Sequence, residues 1–450
     1  MRVRYVILII ASCSIFSMAC DKNKTLFDEP FPCEDGMADG KYPCENVGMY
    51  AHIPLTEFDT ERLNDIWGWT DRQTGKEYAL VGLYNGVSFV DVSNPKTPVI
   101  VGSLPETSFS AKRLNLETAD FEICEFGIGS TPEAKSLTEG SVWRDLKVYD
   151  DHLFIVSDAQ SHGMQVFDLS ALREFEGTPL TFSEDAIYTK ISNAHNIVIN
   201  EESGFAYAVG ATNSVNEEFV NDCNEGGLHM IDISNPKAPV FAGCYRNTDA
   251  PRRRAGSAYI HDAQCVQYAG PDADYQGSEI CFNAAERSVD IADVSDKSNP
   301  VHLGFAANPN VQYSHQGWLT EDQAYFIMND ELDELNLGRN TKTHVFDVRD
   351  LDNPEFVGSF DHITRTIDHN LYVKNGHTFL TNYTSGLRIL ENRDLSDAEF
   401  TQVGYFDTTP QNNVVDFQGT WSSYPYFESG IIIVSDIFGG LFILNPHLDE

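Results

Sequence analysis

The sequence is poor in basic residues. It contains 30 Lys and Arg against 68 Asp and Glu, which gives a formal net charge of -38 at pH 7. Nucleic-acid binding needs a positive surface that neutralises phosphates, and adsorption to anionic lipid needs clustered Lys and Arg. The composition therefore excludes nucleic acid as a partner and leaves a covalent lipid anchor as the expected route to a membrane.

Long apolar runs are scarce as well. The most prominent run covers residues 5–16, which follow a basic start and precede Ser17-Met18-Ala19-Cys20. This run is too short to span a bilayer, and the pattern is typical of a signal peptide, which we expect over residues 1–19. We expect lipidation at Cys20 and a location at the bacterial cell envelope or surface. Ser-Met-Ala also fits an ordinary cleavage site, which would leave the protein periplasmic or extracellular.

The familiar catalytic motifs are missing from the sequence. It has no Gly-x-Ser-x-Gly elbow, no phosphate-binding loop, no HExxH segment and no Cys-x-x-Cys pair. Catalytic groups assembled from distant segments stay open at this stage, so the sequence leaves enzyme activity uncertain.

What the sequence has instead is a repeat. A glycine, an alternating apolar strand that ends in Asp, an Asn-Pro turn and a second short strand read GVSFVDVSNPKTPVIVG from Gly86 and GLHMIDISNPKAPVFAG from Gly227. Weaker copies begin at Gly163, Ser288, Lys342, Gly386 and Gly440. Repeats at such intervals indicate propellers or solenoids.

A polar cluster opens a further strand upstream of each copy, and period-two alternation predicts four strands per unit. Seven four-stranded units predict an all-β, seven-bladed β-propeller. The last unit lacks its fourth strand, and residues 47–55 resemble one, so we expect this N-terminal segment to complete the last blade. The predicted organisation is a signal peptide over residues 1–19, a tether and disulfide loop over residues 20–45, and one propeller over residues 46–450. Residues 106–140 form a surface insertion in that propeller.

The cysteines fit an oxidising compartment. Cys33 and Cys44 bracket a short acidic loop, and we pair them. We also pair the two cysteines that antiparallel strands bring together in blade three and the two that face each other in the first hairpin of blade four: Cys223 with Cys244, and Cys265 with Cys281. Reduced core thiols are the alternative for the blade-four pair, and Cys124 is left over.

Several stretches of the sequence resemble known families. The Asp-Ile-Ser-Asn-Pro turn of the repeat resembles the LVIVD repeat. Longer stretches, among them CEDGMADGKYPCENV, WRDLKVYDDHLFIVSDAQSHGMQVFD, HDAQCVQYAGPDADYQGSEICFN and SHQGWLTEDQAYF, are similar to the choice-of-anchor B family of exported bacterial proteins. This resemblance covers nearly all of the mature chain. It implies export and surface anchoring, and it implies no defined biochemical activity.

The polar clusters that open the blades are the candidate site. The first strand of each propeller blade lines the central channel, so clusters at the strand starts are expected at one channel mouth. Four consecutive blades place a histidine there, and these are the candidate metal ligands: His195, His261, His315 and His369. Further binding candidates at the mouth come from strand starts, strand ends and flanking aromatic residues: Asp65, Trp67, Trp143, Arg144, Asp145, Asp158, Asp330, Gln418 and Asp436.

Two interpretations of these histidines remain open. They could pin the loops between blades, since they recur once per blade, or they could bind a transition metal such as iron, copper or zinc. The acidic runs Asp330-Glu331-Leu332-Asp333-Glu334 and Asp272-Ala273-Asp274 also offer oxygen ligands for calcium. We expect a monomeric binding module for a small molecule, a glycan or a surface protein. The alternative is a metal-dependent oxidoreductase or hydrolase that uses the same residues.

Overall fold

A computed structural model describes residues 29–106, 140–213, 223 and 226–448. The predicted signal peptide, Cys20, Cys124 and all of the insertion except its two end residues lie outside the described residues.

Within the described residues the chain forms seven blades, each built on four antiparallel strands, and two of the blades carry additional edge strands. The prediction of an all-β, seven-bladed propeller is confirmed. The strands of blades one to four are Leu63–Thr70, Glu77–Leu83, Gly86–Asp91 and Val99–Pro105; Arg144–Tyr149, His152–Ser157, Met164–Asp168 and Ala186–Tyr188; Asn196–Asn200, Phe205–Val209, Leu228–Asp232 and Val240–Tyr245; and Asp262–Gln267, Glu279–Ala284, Val289–Asp293 and Val301–Ala306.

The remaining blades follow the same order. Their strands are Ser314–Leu319, Tyr325–Asp330, Lys342–Asp347 and Glu355–Asp361 in blade five; Leu371–Lys374, His377–Thr381, Leu387–Asp394 and Glu399–Phe406 in blade six; and Thr420–Tyr424, Ile432–Asp436, Gly440–Pro446 and Val47–Pro54 in blade seven.

Short elements decorate the ring. Tyr42–Glu45 and Met37–Ala38 extend blade six, and Leu180–Thr181 adds a parallel edge strand to blade one. A two-stranded ladder and four short helices complete the described structure: Ile191–Asn193 with Thr212–Asn213, the 3-10 helices Leu55–Glu57, Leu169–Glu174 and Leu395–Asp397, and the α-helix Asp333–Leu337. No helix in the described part of the chain is both long enough and apolar enough to cross a bilayer.

The aspartate that ends each third strand has a local structural role. In blades one, three and four its side chain accepts a hydrogen bond from the backbone N–H two residues later: Asp91 from Ser93 at 3.0 Å, Asp232 from Ser234 at 2.9 Å, and Asp293 from Ser295 at 2.9 Å. This Asx turn stops the strand and turns the chain toward the fourth strand. The recurrent Asp-x-Ser in the sequence is therefore a turn signal.

The glycine that opens the third strand is required by close packing. Gly86 and Gly440 adopt φ values of 155° and 106°, which side chains rarely tolerate. A Cβ atom at Gly86 would lie 2.4 Å from the Leu104 carbonyl oxygen, and one at Gly440 would lie 2.2 Å from that of Ile53. Each glycine thus lets the fourth strand of its blade approach.

The N-terminal strand closes the ring. Val47–Pro54 pairs with Gly440–Pro446 along its whole length and forms the outer strand of blade seven, as predicted for residues 47–55. The inner strand of blade seven, Thr420–Tyr424, also contacts the inner strand of blade one, Leu63–Thr70. The first and last strands of the propeller are therefore paired in one sheet, which closes the ring.

The hydrophobic core lies between neighbouring blades. Phe89 of blade one stacks on Phe167 of blade two at 5.1 Å, and Phe282 of blade four stacks on Phe326 of blade five at 5.8 Å. All four rings are buried. The facing sheets of neighbouring blades therefore pack against each other through buried aromatic rings.

The three predicted disulfide pairings are confirmed among the described cysteines: Cys33–Cys44, Cys223–Cys244 and Cys265–Cys281. Cys265 and Cys281 are direct cross-strand partners in the first hairpin of blade four, with a Cα–Cα distance of 4.0 Å. Disulfides of this number are typical of an oxidising, exported environment.

Candidate functional site

Three of the predicted histidines are fixed by the backbone of the next blade. The Nδ1 of His261 donates to the carbonyl of His315 at 2.9 Å, that of His315 to His369 at 3.3 Å, and that of His369 to Trp421 at 2.6 Å. A carbonyl can only accept, so these contacts place the proton on Nδ1. They leave Nε2, with its lone pair, as the nitrogen available for a ligand.

His195 has a different partner. Its Nδ1 lies 3.0 Å from Oδ2 of Asp158, at the end of the second strand of blade two. Burial disfavours the charged ring, but the Asp158 carboxylate outweighs this effect and raises the pKa of His195. The fourth histidine is therefore held by a carboxylate, and it ends the run of backbone-bound rings.

The four imidazoles lie in a continuous row around one end of the channel. Neighbouring ring centroids are 4.4 Å apart between His195 and His261, 4.2 Å between His261 and His315, and 4.5 Å between His315 and His369. Together they line a cavity of about 270 Å³. We call this cavity and its lining the histidine mouth; the other lining residues are Trp143, Asp158, Arg253, Tyr259, Tyr313, Glu331 and Leu332.

Glu331 brings a carboxylate to the same row. Its Oε2 lies 3.7 Å from Nε2 of His315, and its Oε1 lies 3.8 Å from Nε2 of His369. The hydroxyl of Tyr383 donates to Oε1 at 2.9 Å and orients the carboxylate. The ligand atoms of His315, Glu331 and His369 all lie within 4.8 Å of one another, which is the arrangement that can hold one metal ion.

Burial keeps the rings of His261, His315 and His369 neutral. It lowers the pKa of His369 to about 3, and it lowers the pKa values of His261 and His315 well below 6.5, with a further decrease from the neighbouring histidines. Burial raises the pKa of Glu331 to about 7. Neutral imidazole is the form that binds a metal, so the nitrogen atoms at the mouth are ready to act as ligands.

The next residues along the inner strands form a second polar layer, which we call the carboxylate layer: Asp65, Asp145, Asp262 and Lys147. The Nζ of Lys147 lies 2.6 Å from Oδ1 of Asp145 and 3.5 Å from Oδ2 of Asp65. Burial opposes charge on Lys147, but the two carboxylates raise its pKa. This layer therefore contains its own cation.

The carboxylate layer borders a second cavity, which continues along the same strands and has a volume of about 270 Å³. Trp67 lines it, and the Nζ of Lys147 lies 4.6 Å from the centre of the Trp67 ring. Asp65, Asp145 and Trp67, which the sequence assigns to the mouth with the histidines, thus lie one layer further along the channel. The reason is that each follows the first residue of its cluster, and successive residues of a strand advance along the channel axis.

Two further predicted residues, Trp143 and Arg144, are neighbours in sequence but lie in different surroundings. Trp143 is 47% exposed, and its ring centroid is 6.2 Å from that of His195. Arg144, the next residue, is buried and points between blades, where its Nε donates to the Leu83 carbonyl at 3.0 Å and its guanidinium pairs with Glu106. Arg144 therefore links blade two to the end of blade one.

Of the remaining predicted residues, Asp330 and Asp436 are buried at the ends of the second strands of blades five and seven, and Gln418 lies on the surface. Asp330 accepts hydrogen bonds from the backbone N–H groups of Gln312 and Tyr313, and Asp436 accepts them from Thr408 and from Gly439. Gln418 is exposed and bonds Asp416 at 2.8 Å. The inner strand of blade seven begins at Thr420, two residues beyond Gln418. Trp421 is the blade-seven residue that receives the His369 hydrogen bond.

Sequence reasoning missed Glu331 as a partner of the histidines. It noted the acidic run around Glu331 as a source of calcium ligands, but it placed only Asp330 at the mouth. Tyr383 and Arg253 carried no repeat signal, because they reach the mouth from loops between strands. The available signal for Glu331 was its position directly after the second strand of blade five, where strand ends face the mouth.

Residues 75–105 and 219–247 match the family described as LVIVD repeat. These stretches hold the second to fourth strands of blade one and the third and fourth strands of blade three. The fold and the repeats together define the class of protein: a seven-bladed β-propeller that contains LVIVD repeats. The wider resemblance to the choice-of-anchor B family stays a prediction.

Among solved structures, the chain is similar to the crystal structure of the computationally designed Ika8 protein, with a TM-score of 0.45. Sequence identity is 7%, and the match covers 85% of this chain and 82% of that chain. No curated protein matches the chain.

Proposed function

We propose that this protein is an exported binding module whose ligand-binding centre is the histidine mouth, and that the mouth holds a divalent transition metal ion. The observation that carries this proposal is the distance of 3.7–3.8 Å between the Nε2 atoms of His315 and His369 and the carboxylate of Glu331. These distances are too long for hydrogen bonds. Two atoms that each bind one ion at about 2.0 to 2.2 Å lie about 3 to 4 Å apart, which fits them.

The donor set indicates the kind of metal. Imidazole nitrogens suit zinc, iron and copper, and a single carboxylate completes a set of three protein ligands. Three protein ligands leave coordination positions open for a further ligand. His261 adjoins His315 with a centroid distance of 4.2 Å and would be the next donor to approach.

The open side of the mouth supports binding of a small polar molecule. A cavity of about 270 Å³ holds a ligand of a few heavy atoms, and Arg253 and Tyr313 lie on its wall, with the guanidinium 5.3 Å from the tyrosine ring centre. A cation and a phenol beside a metal favour an anionic or oxygen-rich ligand, or a side chain of a surface protein that carries such a group.

Export is the second part of the proposal. The predicted signal peptide and the three disulfides support it. Lipidation of Cys20 would place the propeller on a membrane surface by its N-terminus. Expression with its own leader in a bacterial host should give membrane-associated protein that becomes soluble in a Cys20→Ser variant; an unchanged distribution of the variant would contradict the lipid anchor.

Metal analysis tests the main proposal. Exported protein, purified without chelator and without a histidine tag, should contain about one equivalent of zinc, iron or copper by inductively coupled plasma mass spectrometry. The variant His315→Ala/His369→Ala should lose this metal, whereas His377→Ala should keep it, because His377 lies on the second strand of blade six, outside the mouth. Metal-free wild-type protein that takes up no zinc on reconstitution, or a double variant that retains its metal, would overturn the proposal.

A further inference from the structure

A second group of carboxylates lies buried beside the histidine mouth, in blade five and the loop that enters blade six. Four acidic residues are 0% exposed there: Asp330, Asp333, Glu334 and Asp368. We call this group the blade-five acidic cluster. Asp330 and Asp333 flank Glu331 in sequence, so one short segment supplies carboxylates to this cluster and to the mouth.

Most oxygen atoms of this cluster lack a hydrogen-bond donor. Among the described residues, no donor of normal geometry reaches Oδ1 of Asp333, either oxygen of Glu334 or either oxygen of Asp368. Buried polar atoms are nearly always hydrogen-bonded, since an unpaired buried carboxylate costs several times the net value of one hydrogen bond. Five such atoms in one place indicate a missing partner.

The cluster also lacks enough positive charge. Arg339 pairs with Asp333 through Oδ2, with Nε at 2.9 Å, and its side chain is 20% exposed. This single guanidinium faces four carboxylates.

An imidazole stands next to the cluster. Nδ1 of His344 bonds the hydroxyl of Ser359 at 2.7 Å, and its buried Nε2 has no hydrogen-bond partner among the described atoms and lies 3.7 Å from Oδ2 of Asp333. Ligand atoms of Asp330, Asp333 and His344 lie within 4.8 Å of one another. Asp330, Asp333 and His344 therefore present ligand atoms to a common region.

The carboxylate layer of the channel is an internal reference. There, Lys147 lies within 3.5 Å of both Asp65 and Asp145 and supplies the cation from within the chain. The blade-five acidic cluster has a similar number of carboxylates and no buried lysine or arginine at its centre among the described residues. In the carboxylate layer the chain supplies the cation as Lys147. In the blade-five acidic cluster a cation from the solvent would have to take that place.

We propose that the blade-five acidic cluster binds one hard divalent cation where the ligand atoms of Asp330, Asp333 and His344 converge, with the unpaired carboxylates of Glu334 and Asp368 beside it. Calcium and manganese both prefer carboxylate oxygens, and manganese would in addition use Nε2 of His344. This site is separate from the metal proposed at the mouth. The bound cation fixes the segment of residues 330–334, and through it the position of Glu331.

The test uses the His315→Ala/His369→Ala variant, so that added cation cannot act at the mouth. After treatment with EDTA, saturating Ca²⁺ or Mn²⁺ should raise the melting temperature by roughly 5 °C. Adding Glu334→Gln and Asp368→Asn should abolish this shift, and the chelated quadruple variant should melt no lower than its chelated parent, since the neutral side chains remove the repulsion. If the quadruple variant does not fold, Glu334→Gln alone should weaken cation binding at least tenfold by calorimetric titration.

Matched controls separate the outcomes. Asp65→Asn in the carboxylate layer should leave the cation-dependent shift unchanged. A shift with Mn²⁺ that His344→Gln removes assigns the site to manganese with an imidazole ligand, and a shift with Ca²⁺ that His344→Gln leaves intact assigns it to calcium. If neither cation raises the melting temperature and none is retained after gel filtration, the carboxylates are neutralised by protons and the proposal fails, whatever the metal content of the mouth.

Discussion

The two layers of the channel differ in what lies next to their buried polar groups. In the carboxylate layer, the Nζ of Lys147 pairs with Asp145 at 2.6 Å and lies 3.5 Å from Asp65, so the chain itself supplies a cation. At the histidine mouth, Nδ1 of each ring is bound to the chain and Nε2 is left facing a cavity. The first layer has a cation within the chain, whereas the second presents imidazole nitrogens and a carboxylate whose ligand atoms lie within 4.8 Å of one another. We therefore expect the ligand-binding centre at the histidine mouth.

The largest effect on stability is expected in the carboxylate layer. Lys147→Met leaves Asp145 and Asp65 buried without their cation, and breaking a buried ion pair in this way costs about 3 to 5 kcal/mol of unfolding free energy. Urea unfolding would measure it. Adding Asp145→Asn should recover part of the loss, because one uncompensated charge is removed. A loss below about 1 kcal/mol would show that this layer does not depend on its lysine, and the contrast with the mouth would disappear.

The mouth should behave in the opposite way. Replacing His315 by Ala removes a ligand and should weaken zinc binding at least 100-fold, more than the 10- to 100-fold typical of an outer-shell partner. The metal-free variant should lose less stability than Lys147→Met, because a buried neutral ring and one hydrogen bond are lost and no buried charge is left unpaired. Competition with a chromogenic chelator would measure the affinity. An unchanged zinc affinity would place the metal elsewhere.

A histidine outside the channel sharpens the comparison. Burial lowers the pKa of His229 to about 3, and its Nε2 lies 2.8 Å from the hydroxyl of Tyr188. The unfolded chain takes up a proton near pH 6.5 while folded His229 does not, so its contribution to stability is lost as pH falls below 6.5. The loss is about 2 kcal/mol at pH 5.

This prediction is tested by comparing how much the unfolding free energy changes with pH in the variant and in wild type. Unfolding free energies at pH 7.5 and pH 5.0 should differ by about 2 kcal/mol less in His229→Gln than in wild type, with the metal content unchanged. An equal pH dependence in both proteins would contradict the low pKa of His229. A loss of metal from the variant would show that His229, which lies outside the mouth, also affects metal binding.

The smallest effect concerns the orientation of Glu331. Tyr383→Phe removes the hydroxyl that donates to Oε1 of Glu331 at 2.9 Å. An outer-shell change of this kind should weaken zinc binding by roughly tenfold. Tyr372→Phe, in the carboxylate layer's cavity, is the control and should leave the affinity unchanged. Equal affinities in both variants would remove Glu331 from the proposed ligand set.

Much of the fold could be predicted from the sequence, because its signals are local and repeated. The Asp-x-Ser turns and the glycines at strand starts mark each blade, and residues 47–55 carry the alternation of the missing strand. The disulfide partners were predictable because cross-strand pairing fixes which residues face each other. Blade seven was the exception for its inner strand, which begins at Thr420 beyond the polar cluster at Gln418.

The site could be predicted only in part. The recurrence of one histidine per blade was enough to place four rings together, since equivalent positions of neighbouring blades are adjacent. Depth along the channel was not encoded in that recurrence, so Asp65 and Asp145 were assigned to the wrong layer. Glu331 and Tyr383 reach the mouth from loops, whose paths depend on tertiary packing and leave no periodic signal.

The most direct measurement of the central claim is anomalous diffraction from crystals soaked in zinc. An anomalous difference peak at the zinc edge should lie between Nε2 of His315, Nε2 of His369 and the carboxylate of Glu331, at about 2.0 to 2.2 Å from each. A mouth without a peak, in crystals whose histidine nitrogens bond only water, would contradict the account and leave the four imidazoles as links between blades.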